Sequence, residues 1–465
     1  MRKANSNRQI FKIAGIFIIS IFLLLIMPDS EGKAASPEWC REVSYYLFVL
    51  LAFQLFSLKW IMRDFRLLPL IFIIILYLFN FPQIILYGFD LEQVDRHEGY
   101  SSIFYYSNVP DVFVIAVRAI MAIFWGFCAT NYFQSKNGNK VANKDVYIRV
   151  YRQPSVLLIF TIGFIADLIC NVFVVITMGY ADIDNVPYMN IVKYFSFLLS
   201  ASVVIIFANP TVSLSTKRNV LIAFLIYKLL CMFGGYRGFA LINILLVLYV
   251  YHRICLPFKF RAKHIILGLL IIQLGSGMMK GIRDTRQEGV DVGKVVTSMF
   301  DLNNNAVLAL LSDFGVSLGI TCEVMETTNG KPIEGTYLFG SIATVVPGSS
   351  SLVKRFGYHN MDEELGLRNA GGSLIADLVF DYGAESILWT ALILGMIYGF
   401  IFERFESSLK HLSPFALAYL FPILVDLIFC ARSSLAKIPR EVVWYFLIIG
   451  FFTIIIPRRK IELSR

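Results

Sequence analysis

Apolar stretches of roughly 15 to 24 residues recur along the chain, each closed by charges or turn-forming residues. A helix needs about 20 such residues to cross the hydrocarbon core of a bilayer. About twelve runs meet that requirement: 9–28, 42–61, 67–87, 111–133, 155–178, 189–208, 219–234, 239–256, 264–279, 384–402, 412–430 and 441–457. One segment breaks the rhythm. From Lys280 to Gly383 the chain mixes short amphipathic stretches (Val295 to Leu311, Val316 to Met325) with turn-rich ones (Thr328 to Tyr337, Pro347 to Ser351). Roughly a hundred residues is too many for a plain loop. The pattern therefore predicts an all-α polytopic membrane protein with one large extracytoplasmic loop subdomain of short helices. Its parts are a bundle of about nine spans (1–279), the loop subdomain (280–383) and a bundle of about three spans (384–465).

Composition agrees with that reading. Apolar residues make up 57% of the chain and charged residues 16%, a balance no ordinary soluble domain of this length shows. The 15% of aromatic residues suits interfacial belts. The net charge of +9 is spread over short loops, which points to membrane orientation rather than nucleic acid. With the N-terminus inside, 24 Lys and Arg residues fall on the inner side and 15 on the outer, 8 of the latter within the long segment. Both termini are thus expected in the cytoplasm. A basic N-terminus followed by Ile13 to Met27 and Lys33-Ala34-Ala35 imitates a signal peptide, but the charged stretch after Asp29 favours a retained helix. Seven scattered cysteines with no CxxC spacing suggest neither a disulfide framework nor a zinc site.

Against this background the outward arginines stand out, because basic residues should be scarce on that side. Gly234-Gly235-Tyr236-Arg237-Gly238 lies at a helix junction, where glycines allow a tight turn and a helix N-terminus favours an anion. Arg283 and Arg286 share a helical face near Lys280. Arg432, Lys437 and Arg440 crowd the short loop closing the last hairpin. Arg118 lies within a span, in its outer half, as does Lys193; Asp167 and Lys228 fit an internal ion pair, and Asp426 is the fifth intramembrane charge. Arg118, Arg237, Arg283, Arg286, Arg432 and Arg440 together form a candidate site for an anionic, phosphate-bearing substrate. Acid–base candidates lie nearby in the sequence. Asn369 to Asp377 and Asp381-Tyr382-Gly383 combine a glycine turn, a serine cap and two carboxylates four residues apart on one face. His359 sits in Tyr358-His359-Asn360-Met361-Asp362-Glu363-Glu364. His359, Asp377 and Asp381 are the catalytic candidates, with Asp362 and Glu363 as further bases. The more ordinary roles for these groups are solvated loop residues, helix caps and snorkelling side chains.

The chain resembles the O-antigen and capsule repeat-unit polymerases of the Wzy type. The resemblance is carried by Gly234-Gly235-Tyr236-Arg237, by Gly371-Gly372-Ser373-Leu374-Ile375-Ala376-Asp377 with Tyr382-Gly383, and by Ala431-Arg432-Ser433-Ser434. It implies a multi-span glycosyltransferase that needs no metal and no cofactor. Such enzymes join oligosaccharide units carried on undecaprenyl diphosphate at the outer face of the bacterial cytoplasmic membrane. The growing chain moves onto a new lipid-linked unit, and undecaprenyl diphosphate leaves. A flippase and a chain-length regulator are the implied partners. Arg237 and Arg432 match the motifs, whereas Arg283, Arg286 and Arg440 follow from charge placement. An O-antigen ligase, which uses a periplasmic histidine, keeps His359 of interest. A lipid-sugar transporter is the rival from another class, but the chain shows no internal repeat and one outer segment dominates.

Overall fold

In the computed structural model the described residues are 2–30, 32–61, 67–91, 102–137, 147–170, 189–233, 237–256, 292–300, 306–333, 336–346, 361–366, 372–455 and 458–462, with 274, 277, 355 and 357. Helices account for nearly all the regular structure. They are α1 (Arg2–Leu25), α2 (Pro37–Ile61), α3 (Leu67–Asn80), α4 (Pro82–Gly88), α5 (Val109–Asn137), α6 (Gln153–Leu168), α7 (Met189–Ala208), α8 (Leu214–Phe233), α9 (Arg237–Ile254), α10 (Val292–Phe300), α11 (Ala306–Phe314), α12 (Val316–Thr328), α13 (Met361–Glu364), α14 (Leu374–Tyr382), α15 (Ile387–Lys410), α16 (Pro414–Phe429) and α17 (Ile438–Ile455). The remaining pair, β1 (Tyr147–Tyr151) and β2 (Arg458–Glu462), forms an antiparallel ribbon with Tyr147 opposite Glu462 and Tyr151 opposite Arg458. A search for apolar runs of membrane length passes over this ribbon, because both segments are only five residues long and carry charge.

Four helical stretches among the described residues are long and apolar enough to cross a membrane: Pro37–Ile61, Val109–Phe133, Ala384–Lys410 and Leu435–Ile455. A fifth is a broken pair, Leu68–Asn80 and Pro82–Gly88, bent by 60°. Shorter apolar helices run over Ile10–Leu25, Gln153–Leu168, Phe195–Ala208, Gly238–Ile254 and Pro414–Phe429. The continuous span expected over 67–87 is thus corrected to a broken one. Pro82 offers no N–H to continue the ladder, and its ring collides with the preceding turn. The run expected over 264–279 lies outside the described residues except for 274 and 277. Described elements of the 280–383 segment are all short, the longest being α12 with 13 residues.

The chain divides into two compact units that alternate along the sequence. The first comprises 1–144, 311–404 and 430–440, and the second 145–310, 405–429 and 441–465. In the first unit, α5 crosses α15 so closely that a Cβ on Gly126 would stand 2.6 Å from the backbone of Gly395. Paired glycines let two apolar helices approach where hydrophobic burial alone gives no drive. Phe72 of α3 then packs on Tyr398 and Phe402 of α15 at centroid separations of 5.0 and 6.0 Å, with Phe127 of α5 5.7 Å from Phe402. In the second unit, α6 packs on α7, α7 on α16, and α8 on α9. Its polar links are internal to the helices' contacts. Lys228 Nζ meets Asp167 Oδ2 at 2.6 Å with both side chains buried, the pairing their positions in the sequence allow. Glu406 accepts from Tyr249 Oη and, at 3.1 Å, from Arg253, and Asp426 accepts from Tyr445 Oη.

Candidate functional site

The site is built around the loop at 430–437, between α16 and α17, and the helix α14 that holds it. Helix α14 starts at Leu374 because Ser373 takes up the extended N-cap conformation and its hydroxyl accepts from the Ala376 N–H at 3.4 Å. Thr321 of α12 lies 3.3 Å from the same hydroxyl. Just before the cap, the Gly372 N–H donates to the Arg432 carbonyl at 3.1 Å. Only glycine fits there, since a Cβ would lie 2.7 Å from the Ser433 carbonyl carbon and 2.8 Å from the Ser434 nitrogen. Residues 372–377 and 431–434, from two of the segments that carried the resemblance, therefore clasp each other through the main chain.

The two carboxylates of α14 complete the clasp. Asp377 and Asp381 share a face, as their spacing requires, and each accepts from a backbone N–H. Asp377, fully buried, accepts from Leu435 at 2.5 Å. Asp381 accepts from Tyr337 at 2.9 Å and Leu338 at 3.3 Å. Ser434 caps the short 3-10 turn Leu435–Lys437 by accepting from Ala436 at 3.0 Å, and the Tyr337 hydroxyl lies 2.6 Å from the Ser434 hydroxyl. Burial first, and then the adjacent Asp381 carboxylate, raises the Tyr382 hydroxyl above its ordinary range, so it stays protonated at neutral pH. Burial likewise pushes the Cys322 thiol well up, which makes it a poor nucleophile.

Arg432 leaves this loop half-buried. Its guanidinium carbon lies 5.8 Å from the Phe79 ring centroid and 5.5 Å from that of Phe314. Those rings meet edge to face at 5.2 Å and are themselves buried. Both distances are within cation–π range. Phe79 belongs to the last turn of α3, just before the break at Phe81, and Phe314 ends α11. Gln83 of α4 binds the two together, donating to the Ser312 carbonyl at 3.1 Å and accepting from the Ile103 N–H at 2.9 Å. The break in the span thus serves as the seat of an arginine.

The other sequence candidates fall as follows. Arg440 is half-buried in the first turn of α17, and its Nε is a buried donor with no hydrogen-bond partner among the described residues. Arg118 is exposed on α5 although Val117 and Ala119 are fully buried. Arg237 is the first residue of α9, in the second unit. Gly234, Gly235, Tyr236, Arg283, Arg286 and His359 lie outside the described residues. Lys437 is exposed. Phe79, Phe314 and Tyr337 are participants that sequence reading did not find. Each looks like one more aromatic in a chain with 41 Phe and 23 Tyr, and only long-range contact sets it apart.

Fold and site together define a polytopic helical membrane protein with a motif-built loop presenting an arginine. A family model for the O-antigen polysaccharide polymerase Wzy matches residues 9–461, nearly the whole chain, and the chain belongs to that family. It is a repeat-unit polymerase of the glycosyltransferase type, acting on lipid-linked oligosaccharide repeat units. No curated protein and no solved structure matches the chain.

Proposed function

We propose that this polymerase transfers a growing saccharide from undecaprenyl diphosphate to a new lipid-linked unit at the outer face of the bacterial inner membrane, with arginines stabilising the departing diphosphate. The acceptor hydroxyl attacks the anomeric carbon of the donor. The bond from that carbon to the diphosphate oxygen breaks, and its electron pair leaves on the diphosphate. Charge therefore grows on the leaving group in the transition state, where a prepositioned guanidinium is worth most. The observation that carries this reading is the seating of Arg432 over Phe79 and Phe314 by a clasp made from family-motif residues. Arg440, whose buried Nε has no hydrogen-bond partner among the described residues, and Arg118, exposed between buried neighbours, are the next contributors. Arg237, Arg283 and Arg286 complete the proposed set on charge and motif alone. Asp377 and Asp381 are engaged by backbone amides, so their proposed part is to hold the loop. The acceptor proton then goes to His359 or its neighbours Asp362 and Glu363.

No cofactor or metal enters this scheme, because the arginines do the electrostatic work. Both termini lie in the cytoplasm. The β1–β2 ribbon supports an orientation with 147–151 and 458–462 on one side of the membrane, since paired strands cannot be divided by a bilayer. A flippase supplies the lipid-linked unit and a chain-length regulator limits the product. The test is reconstitution of the full chain in lipid with lipid-diphosphate-linked oligosaccharide from its own host, followed by gel separation. The wild type should give a ladder at repeat-unit intervals, in EDTA as well as in Mg2+. Arg432→Ala should give none at normal protein level. A full ladder from Arg432→Ala would remove the diphosphate role, and loss of the wild-type ladder in EDTA, restored by Mg2+, would remove the metal-free scheme.

A further inference from the structure

We infer that Tyr337 is a positioning residue for Arg432, acting through Ser434, and this inference rests on the role of Arg432 proposed above. The geometry is a closed circuit. From α14, Asp381 accepts from the amides of Tyr337 and Leu338. The Tyr337 hydroxyl reaches the Ser434 hydroxyl at 2.6 Å. Beside it, the Leu435 N–H returns to α14 at Asp377. One helix thus fixes two loops, and the tyrosine hydroxyl joins the loops to each other. Arg432 lies two residues before Ser434 on a stretch without helical hydrogen bonding, steadied otherwise by Gly372 on its carbonyl and by the Ser433 N–H donating to Cys430.

The hydroxyl is the informative atom. The Tyr337 ring already packs edge to face on Phe380 at 5.4 Å and is only 2% exposed. Phenylalanine would meet that packing requirement without burying a polar group. The hydroxyl instead goes to Ser434, which is already accepting from Ala436 and has a second lone pair to share. Its effect is to fix where the Arg432 main chain lies against the start of α14, and so how the guanidinium lies over Phe79 and Phe314. A displacement of about 1 Å in a charge-stabilising group is enough to lower a rate appreciably.

Tyr337→Phe keeps the ring and removes the bond to Ser434. With the full chain in lipid nanodiscs, kcat should fall about tenfold while KM for the lipid-linked unit changes less than about twofold, as for an interaction made chiefly in the transition state. The deciding readout is a double-mutant cycle with Arg432→Lys, because residues acting through one another are not additive. Tyr337→Phe should then cost less than about twofold in the Arg432→Lys background. An equal loss in both backgrounds, or no loss in the wild-type background, would overturn the positioning role. If Arg432→Lys turns over too slowly, the same cycle is read on affinity for inorganic pyrophosphate, with the same two outcomes. Failure of the underlying reading is separately visible, since Arg432→Ala would then still polymerise.

Discussion

The Arg432 guanidinium carbon lies within about 6 Å of two phenylalanine ring centres, and its proposed role is to meet a diphosphate there. A lysine at 432 would keep the charge but lose the two-pronged donation to a phosphate, so Arg432→Lys should retain only part of the ladder. Asp377 offers a sharper distinction. If its task is to accept from the Leu435 N–H, Asp377→Asn keeps an acceptor and should hold activity within about tenfold of wild type. Asp377→Ala leaves a buried amide without that partner, at a cost of about 1 to 3 kcal/mol, and should lose most activity. A general base would lose as much to asparagine as to alanine, so equal loss in measured transfer rate would return Asp377 to the chemistry. The spacing of four places Asp377 and Asp381 on one helical face in the sequence already, and the motif at 431–434 singles out Arg432. What each carboxylate touches was not legible there, because Leu435 and Tyr337 are 58 and 44 residues away.

At the scale of elements, the lengths of apolar runs located most helices, since a bilayer demands that length whatever the neighbours are. The break at Phe81 escaped that logic. Hydropathy runs straight through it, and the proline that causes it sits at the start of α4, where proline also suits a helix. The Asp167–Lys228 pair joining α6 to α8 was legible as two intramembrane charges of opposite sign. Lys228 also lies over the Tyr227 ring, 5.2 Å from its centroid. Removing one partner strands a buried charge, which costs about 3 to 5 kcal/mol. Lys228→Met should therefore lower the thermal midpoint and membrane yield of the protein, and adding Asp167→Asn should recover most of the loss. A double variant no better than the single one would show that the pair does more than balance charge.

For the whole molecule, the count of basic residues predicts both termini in the cytoplasm, and reporter fusions read that directly. Phosphatase fused after Arg465 should be inactive and a fluorescent protein there should be bright, with the reverse result rejecting the orientation. Sequence reading anticipated a long bundle, a loop segment and a short bundle in succession. By contact, 1–144, 311–404 and 430–440 gather into one unit. Nothing in a linear hydropathy trace reports which distant runs meet, and here the meeting depends on details as small as the Gly126–Gly395 crossing and the missing side chain at Gly372.

That gathering has a consequence for how the protein is made. Phe79 leaves the ribosome some 350 residues ahead of Arg432, an interval of roughly 20 to 70 seconds at 5 to 20 residues per second. For that time the nascent chain carries a bent, finished-looking helix with no arginine to receive, and Gly372 and Asp377 emerge later with nothing yet to clasp. The clasp at Gly372 and Asp377 and the seat of Arg432 therefore close only after almost the whole chain has been made, and chains stalled before that point lack both.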